Sequence, residues 1–244
     1  MDERLKAIID RSQNIVFFGG AGVSTESNIP DFRSEKGLYQ AQQEYGRSPE
    51  EILSHTFFMR NRKTFFDYYK KNLIYPDAKP NAAHLALARL EAEGKLKAVV
   101  TQNIDGLHQK AGSKNVFELH GSVLRNYCMK CHTFHSLEEI MAPENCDEDG
   151  IPRCKSCGGV VKPDVVLYEE GLDMDCMNGA VEAIANADTL IIGGTSLVVY
   201  PAASLIRYFR GENLVLINKS VTPYDSQADL VINDAIGKVM GFEE

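Results

Sequence analysis

Cations are scarce in this sequence: 26 Lys and Arg stand against 34 Asp and Glu, a formal net charge of −8. A protein built to bind nucleic acid needs a basic footprint, so no nucleic-acid partner is expected. Long apolar runs are missing as well. None reaches the roughly 18–20 residues that cross a bilayer, and no membrane partner is expected. Met1 to Arg11 carry both signs of charge and no long apolar core, unlike a signal peptide. The expectation is a cytoplasmic protein. Internal repeats and low-complexity tracts are also lacking. Cysteine is sparse, with six in 244 residues. In a reducing compartment six thiols seldom mean disulfides. Four of them lie in two close pairs, which points to metal.

What is present is a globular composition, 44% hydrophobic, enough for one large domain or one domain carrying an insertion. Residues 2–13 read as a helix with Leu5, Ile8 and Ile9 on one face. The apolar run Ile15-Val16-Phe17-Phe18 then ends in Gly19-Gly20-Ala21-Gly22, and a strand running into glycines is how a dinucleotide fold begins. Residues 34–80 read as helices and loops outside the sheet. Asn81 to Gly94 reads as a helix with Leu85, Leu87 and Leu90 apolar. Short Val- and Ile-rich strands are expected at Ala98–Thr101, Val116–Leu119, Val165–Tyr168, Thr189–Ile192, Leu214–Ile217 and Leu230–Ile232. Helical stretches such as 175–186 and 201–210 separate several of them. Strands alternating with helices indicate an α/β fold with a parallel sheet covered on both faces. The segment 124–162 breaks this rhythm and reads as an inserted module.

That module holds Cys128-x-x-Cys131 and Cys154-x-x-Cys157, with twenty-two residues between the pairs. Each pair can set two thiolates on one side of a tight turn, and two such turns close a tetrahedron around zinc. Four buried cysteines without metal are the alternative. A closed four-thiolate site keeps no open position, so the zinc is expected to be structural. His132, His135 and Cys146 are nearby competitors. Cys176, on an expected helix, reads as a small core residue.

Other candidates sit where expected strands end. Gly20-Ala21-Gly22-Val23-Ser24 precedes an expected helix, and bare glycine amides plus a helix N-terminus suit a pyrophosphate; a plain tight turn is the alternative. Gly193-Gly194-Thr195-Ser196 follows a second strand, and the two turns can line one crevice. Asn218 ends a third strand, either as a ribose ligand or as a turn residue. Arg33, in Ile29-Pro30-Asp31-Phe32-Arg33, can answer a phosphate, and Phe32 can cover a ring. Gln102, Asn103, Ile104 and Asp105 follow one strand, and His120-Gly121 another. A lone histidine is more often structural, but this one shares a strand-end edge with Asn103 and Asp105.

Taken together, in this order along the chain, these segments resemble the sirtuins, the NAD-dependent protein deacylases. Lys162-Pro163-Asp164-Val165-Val166 and Gly194-Thr195-Ser196-Leu197 belong to the same match. The resemblance implies a Rossmann-like part, residues 1–35, 79–123 and 163–244. It also implies a smaller domain made of a helical insertion, 36–78, and a zinc insertion, 124–162. It implies that Gly20, Ala21, Gly22, Thr25, Phe32, Arg33, Gln102, Asn103, His120, Gly194, Thr195, Ser196 and Asn218 contact NAD. Ile104 and Asp105 would hold the nicotinamide carboxamide, and Ile236 would pack on adenine. Acetylated lysine in a protein is the implied substrate, its peptide lying as a strand against Val165 and Val166. The acyl oxygen attacks the ribose and expels nicotinamide. His120 then serves as general base, Asn103 orients the ribose, and water releases lysine and O-acyl-ADP-ribose. A monomer is expected.

Two departures from the family pattern stand out. Asn28 replaces the usual Gly before Ile-Pro-Asp-Phe-Arg, and Asn tolerates a left-handed backbone. Tyr168-Glu169-Glu170 replaces Phe-Gly-Glu, which bears on the substrate loop and peptide preference. Sirtuins that favour acidic acyl groups carry Tyr and Arg at positions that fall here on Phe66 and Tyr69, so neutral acyl groups are expected to be preferred. The rival functions are an NAD or ADP-ribose sensor, a mono-ADP-ribosyltransferase, and a zinc-ribbon nucleic-acid binder that the acidic charge opposes.

Overall fold

A computed structural model describes residues 1–31 and 34–241. The chain opens with α1 (Glu3–Arg11) and β1 (Ile15–Gly19). The Asp2 side chain accepts from the Arg4 and Leu5 amides and starts α1, whose Leu5, Ile8 and Ile9 are buried. Four helices follow with no strand between them: α2 (Glu35–Tyr45), α3 (Pro49–Ile52), α4 (His55–Arg60) and α5 (Arg62–Asn72). Next come α6 (Ala82–Ala92), β2 (Leu96–Thr101), α7 (Leu107–Ala111) and β3 (Val116–Glu118). A capping box between Asn81 and His84 opens α6. The small module contains β4 (Gly121–Cys128), β5 (Phe134–His135), α8 (Leu137–Met141) and β6 (Val161–Val165). The chain finishes with α9 (Met174–Ala185), β7 (Thr189–Gly193), a 3-10 helix over Ala202–Tyr208, β8 (Asn213–Ile217), β9 (Leu230–Ile232) and α10 (Ile236–Met240).

Six strands form one sheet in the order β3-β2-β1-β7-β8-β9, and every neighbouring pair is parallel. This is the doubly wound order in which direction reverses beside the first strand. β1 is buried along its whole length because helices cover both faces. Ile15 and Phe17 point into a cluster with Leu5, Leu87 and Val239. Val16 and Phe18 point the other way, to Ala180, Ile184 and Leu205. The reversal lies between β1 and β7, and it opens a crevice at their carboxyl ends.

A separate apolar cluster joins residues far apart in sequence. Phe57, Phe58, Phe65, Phe66 and Tyr69 pack with Val123, Ile140 and Val161. Edge-to-face ring pairs tie it together, with Phe58–Phe65 centroids 4.9 Å apart and Phe65–Phe66 5.3 Å apart. The antiparallel sheet β5-β4-β6 forms one wall of this cluster.

Three sequence expectations need correction. Val165–Tyr168 is not a strand of the parallel sheet. The strand there is β6, which begins at Val161, pairs antiparallel with β4 and stops at Val165. Its Lys162, Pro163 and Asp164 give no apolar run, and the proline is accommodated because β6 is an edge. Beyond Val165 the chain turns, since the Tyr168 amide donates to the Leu53 carbonyl and the Glu170 amide to the Leu167 carbonyl. Second, residues 202–208 take 3-10 rather than α geometry. Third, Gly20–Ser24 runs into two 3-10 turns, Ala21–Val23 and Thr25–Ser27, so no α-helix N-terminus follows the first glycines.

Candidate functional site

The two glycine turns meet at the crevice. The Gly20 amide donates to the Gly193 carbonyl and the Gly22 amide to the Gly194 carbonyl, at 3.3 and 2.8 Å. A Cβ on Gly22 would lie 2.7 Å from the Gly194 Cα. These glycines therefore allow two backbones to touch, with the Gly20 and Gly22 amides donating across the contact and the Gly194 amide donating to the Ile217 carbonyl. Thr195 is buried, and its Oγ accepts from Gln102 Nε2 at 3.1 Å. Thr25 Oγ donates to the Gly22 carbonyl, and Ser196 is exposed.

Polar side chains converge at the end of β2. Ser24 Oγ donates to Asp105 Oδ2 at 2.7 Å and accepts from Asn103 Nδ2 at 3.0 Å. The other Asp105 oxygen accepts from the Leu107 amide at 2.9 Å. Ser24 is 1% exposed and carries this cluster, though the sequence reading gave it no role. Its signal was its place inside the glycine turn. His120 follows β3, and its Nδ1 lies 3.0 Å from the Gln102 carbonyl. A carbonyl only accepts, so Nδ1 carries the proton and Nε2 the basic lone pair. Gly121 must be glycine: its φ is +76°, and a Cβ there would sit 1.9 Å from the Asp164 carbonyl oxygen.

A cavity of about 240 Å³ passes over these groups. Ala21, Gln102, Asn103, Ile104, Asp105, His120, Val165 and Val166 line it, joining eight of the expected site residues. β6 is an edge strand of its sheet, and its last residue, Val165, reaches the cavity. The opposite wall includes Leu53, Asn72, Leu73 and Tyr75, contributed by the helical segment. No pattern in the sequence marked these residues. Phe66 and Tyr69, expected at the acyl end, are instead 1% and 0% exposed inside the small core. Lys70 is drawn away to the Gly150 carbonyl and Cys146 Sγ, and Lys71 to Asp67.

Other expected contacts stand at the crevice rim or beyond it. Asn218 follows β8 and donates to the Ser220 carbonyl at 2.9 Å, the behaviour of a turn residue. The Ile236 side chain is 3% exposed and packs under Gly193 at the floor of the crevice. Phe32 and Arg33 lie outside the described residues. Asn28 has φ +63°, the left-handed turn its sequence position requires.

The four module cysteines converge with all sulfurs within 4.8 Å of one another. Cys128–Cys157, Cys131–Cys157 and Cys131–Cys154 are separated by 3.4, 3.4 and 3.6 Å. A zinc tetrahedron with bonds near 2.3 Å has edges of about 3.8 Å, so the set fits zinc. The Cys131 and Lys130 amides point at Cys128 Sγ and hold its pKa below the usual thiol value. Each knuckle closes alike: the His132 amide donates to the Cys128 carbonyl and the Gly158 amide to the Cys154 carbonyl. His132, at φ +59°, matches Gly158 at +69°, and so serves the turn. His135 is buried beside Glu139, 3.5 Å away. Neither histidine nor Cys146 joins the cluster.

A profile of the Sir2 family matches residues 20–201. This chain belongs to the Sir2 family. It is 66% identical to an NAD-dependent protein deacetylase of Clostridium perfringens, over 98% of this chain and 96% of the relative. Against the protein of the same name from Staphylococcus aureus Mu50 it is 45% identical, over 98% and 96%. A solved structure of Sir2 with a p53 peptide and NAD+ superposes with TM-score 0.85 at 35% identity, covering 98% of this chain and 96% of that one. Sir2 bound to acetylated peptide gives 0.84 at 34%, with the same coverage. The fold is thus that of the Sir2 structures.

Proposed function

We propose that the protein is an NAD-dependent protein lysine deacetylase, yielding lysine, nicotinamide and O-acetyl-ADP-ribose. The observation that carries this reading is the meeting of Asn103, Asp105 and His120 with the end of edge strand β6 around one cavity. Relatives that bear the name over nearly their whole length support it, as do Sir2 complexes with NAD+ and with acetylated peptide.

Bound NAD supplies an electrophilic ribose carbon with nicotinamide as leaving group. The residues that hold it are Gly20, Ala21, Gly22, Thr25, Phe32, Arg33, Gln102, Gly194, Thr195, Ser196, Asn218 and Ile236. Ile104 and Asp105 take the carboxamide end. His120 receives a ribose-hydroxyl proton at Nε2, since the Gln102 carbonyl occupies its Nδ1 proton. Asn103 orients the ribose, and Ser24 keeps Asn103 and Asp105 in register. The acetylated peptide adds as a strand along Val165 and Val166. Cys128, Cys131, Cys154 and Cys157 hold one zinc ion, which crosslinks the two knuckles and takes no part in the reaction. The Rossmann-like part is 1–35, 79–123 and 163–244, with a helical insertion at 36–78 and a zinc insertion at 124–162, so that β4 begins and β6 ends in the Rossmann-like part. The protein acts as a cytoplasmic monomer; among the described residues no helix is long and apolar enough to cross a membrane.

Mass spectrometry of an acetyl-lysine peptide, with and without NAD, tests the reading. Deacetylated peptide and O-acetyl-ADP-ribose should form only with NAD. ADP-ribose appearing on the peptide instead would favour a transferase. Acetyl should also be preferred to succinyl. The described cavity wall carries Asp105, Glu169 and Glu170 and no Lys or Arg. A carboxylate buried there unpaired costs several kcal/mol, about a hundredfold or more in rate. Equal efficiency on the two peptides would refute that preference.

A further inference from the structure

The substrate loop departs from its family at Tyr168-Glu169-Glu170, and all three residues line the cavity. The loop is held on both sides. The Val166 amide donates to the His120 carbonyl at 3.0 Å. The Tyr168 amide donates to the Leu53 carbonyl, and the His55 amide returns to the Tyr168 carbonyl, at 3.0 and 2.9 Å. The two carboxylates on this loop are treated differently. Glu170 is engaged three times, by His55 Nδ1 at 2.8 Å, Lys162 Nζ at 3.2 Å and the Leu167 amide at 2.9 Å. Its side chain is only 21% exposed. Glu169 is exposed, and its Oε2 accepts from the Thr56 amide at 2.9 Å. Among the described residues no cation lies within ion-pair distance of it, and His55 and Arg60 act on its charge from farther off.

Glu169 also occupies a backbone region that disfavours it. Its φ is +76°, where glycine is at ease and a long side chain is strained. A strained residue retained at a binding edge suggests that its side chain has work to do there. The Thr56 hydroxyl and amide lower its pKa, so the charge persists.

We propose that Glu169 is a specificity residue that selects acetyl-lysine peptides carrying Arg or Lys beside the modified lysine. This rests on the deacetylase reading above. A peptide added beside Val165 and Val166 shares the cavity with Glu169, whose carboxylate, bonded by the Thr56 amide and hydroxyl, keeps lone pairs for a further charge-assisted hydrogen bond. Glu170 cannot do this, because its oxygens are already matched by His55, Lys162 and the Leu167 amide.

The test uses one neutral acetyl-lysine peptide and a series with a single Arg at each flanking position. For the unmutated enzyme, Arg at one position or more should lower KM by about two- to fivefold, the range of an exposed ion pair. High salt should shrink that gain. In Glu169→Gln and Glu169→Gly the ratio of neutral to Arg-peptide KM should fall to about one. The second variant restores the residue the backbone prefers, so a folding defect cannot explain its result. Glu169→Lys should reverse the preference toward peptides with Glu at that position. No gain from Arg at any position, or a gain that survives in Glu169→Gln and Glu169→Gly, would overturn the proposal. If the neutral peptide keeps its acetyl group in the presence of NAD, the deacetylase reading falls, and the proposal falls with it.

Discussion

Two regions of this molecule gather reactive side chains, and they differ in what they leave open. In the small module four thiols face inward at 3.4–3.6 Å, and backbone amides of the knuckles close around them. At the end of β2, Ser24, Asn103, Asp105 and His120 are equally well tied but border a cavity. A closed ligand set can only crosslink, whereas an open one can meet a substrate. The difference lies in geometry, since the four sulfurs surround one shared point while the second set faces a cavity.

The largest effect should come from opening the closed set. Cys154 is 2% exposed, and removing it leaves three thiolates around the ion. Structural zinc in small modules contributes on the order of 10 kcal/mol of folding free energy. Cys154→Ser should lose zinc and stability together, read by metal analysis and by urea unfolding. A variant that folds normally without zinc and keeps full activity would erase the distinction between the two regions.

Next in size is the loss of the open region's base. His120→Ala should slow deacetylation by about 10²–10⁴-fold. It leaves the Gly22–Gly194 contact and Asn218 intact, so NAD affinity should change little. Exchange of labelled nicotinamide into NAD should outlast deacetylation, because the first step does not formally need the base. Near-normal deacetylation would return His120 to a structural role.

A third effect concerns histidines behind the site. His84 and His108 are 0% and 1% exposed, with ring centroids 4.7 Å apart. Burial lowers the pKa of His84 to about 4, against a raising influence from Asp105, and burial followed by His84 lowers that of His108 to about 3. Both folded-state values lie below the unfolded one, near 6.5. Stability is therefore complete above about pH 6.5 and is lost as pH falls toward the folded values, because the unfolded chain binds protons that the folded one refuses. Between about pH 7 and pH 5 the pair should cost roughly 2–4 kcal/mol. Urea midpoints that stay flat over that range would show the two rings to be solvated.

Legibility in the sequence follows the same division. The cysteine pairs and the strand-to-glycine turns are local patterns, and the structure keeps them. The cavity wall at Asn72, Leu73 and Tyr75 depends on how α5 ends, whereas the family pattern points to Phe66 and Tyr69. Those two face the small core because α5 turns its aromatic side, Phe65 included, toward Phe58 of α4 and the wall of Val123 and Val161. β6 was misplaced because only tertiary pairing reveals that Pro163 lies on an edge. Ser24 gained meaning only when β1 and β2 were laid side by side.

The smallest effect separates the two turns that lack the family's glycine. Asn28 has φ +63° and is exposed, and Asn is among the few residues that enter this region readily. Asn28→Gly removes little strain and adds entropy to the unfolded chain, so the two contributions nearly cancel. The change should stay within about 0.5 kcal/mol. Asn28→Val places a β-branched side chain in the same conformation and should destabilise by about 1–2 kcal/mol. Glu169→Gly relieves a larger strain but forfeits the bond from the Thr56 amide, so it too should lie near zero, for a different reason. Urea midpoints of the three variants measure this directly. If Asn28→Gly alone raised stability by well over 1 kcal/mol, the asparagine turn would be as strained as the glutamate turn. The case for Glu169 as a residue retained for its charge would then lose its contrast.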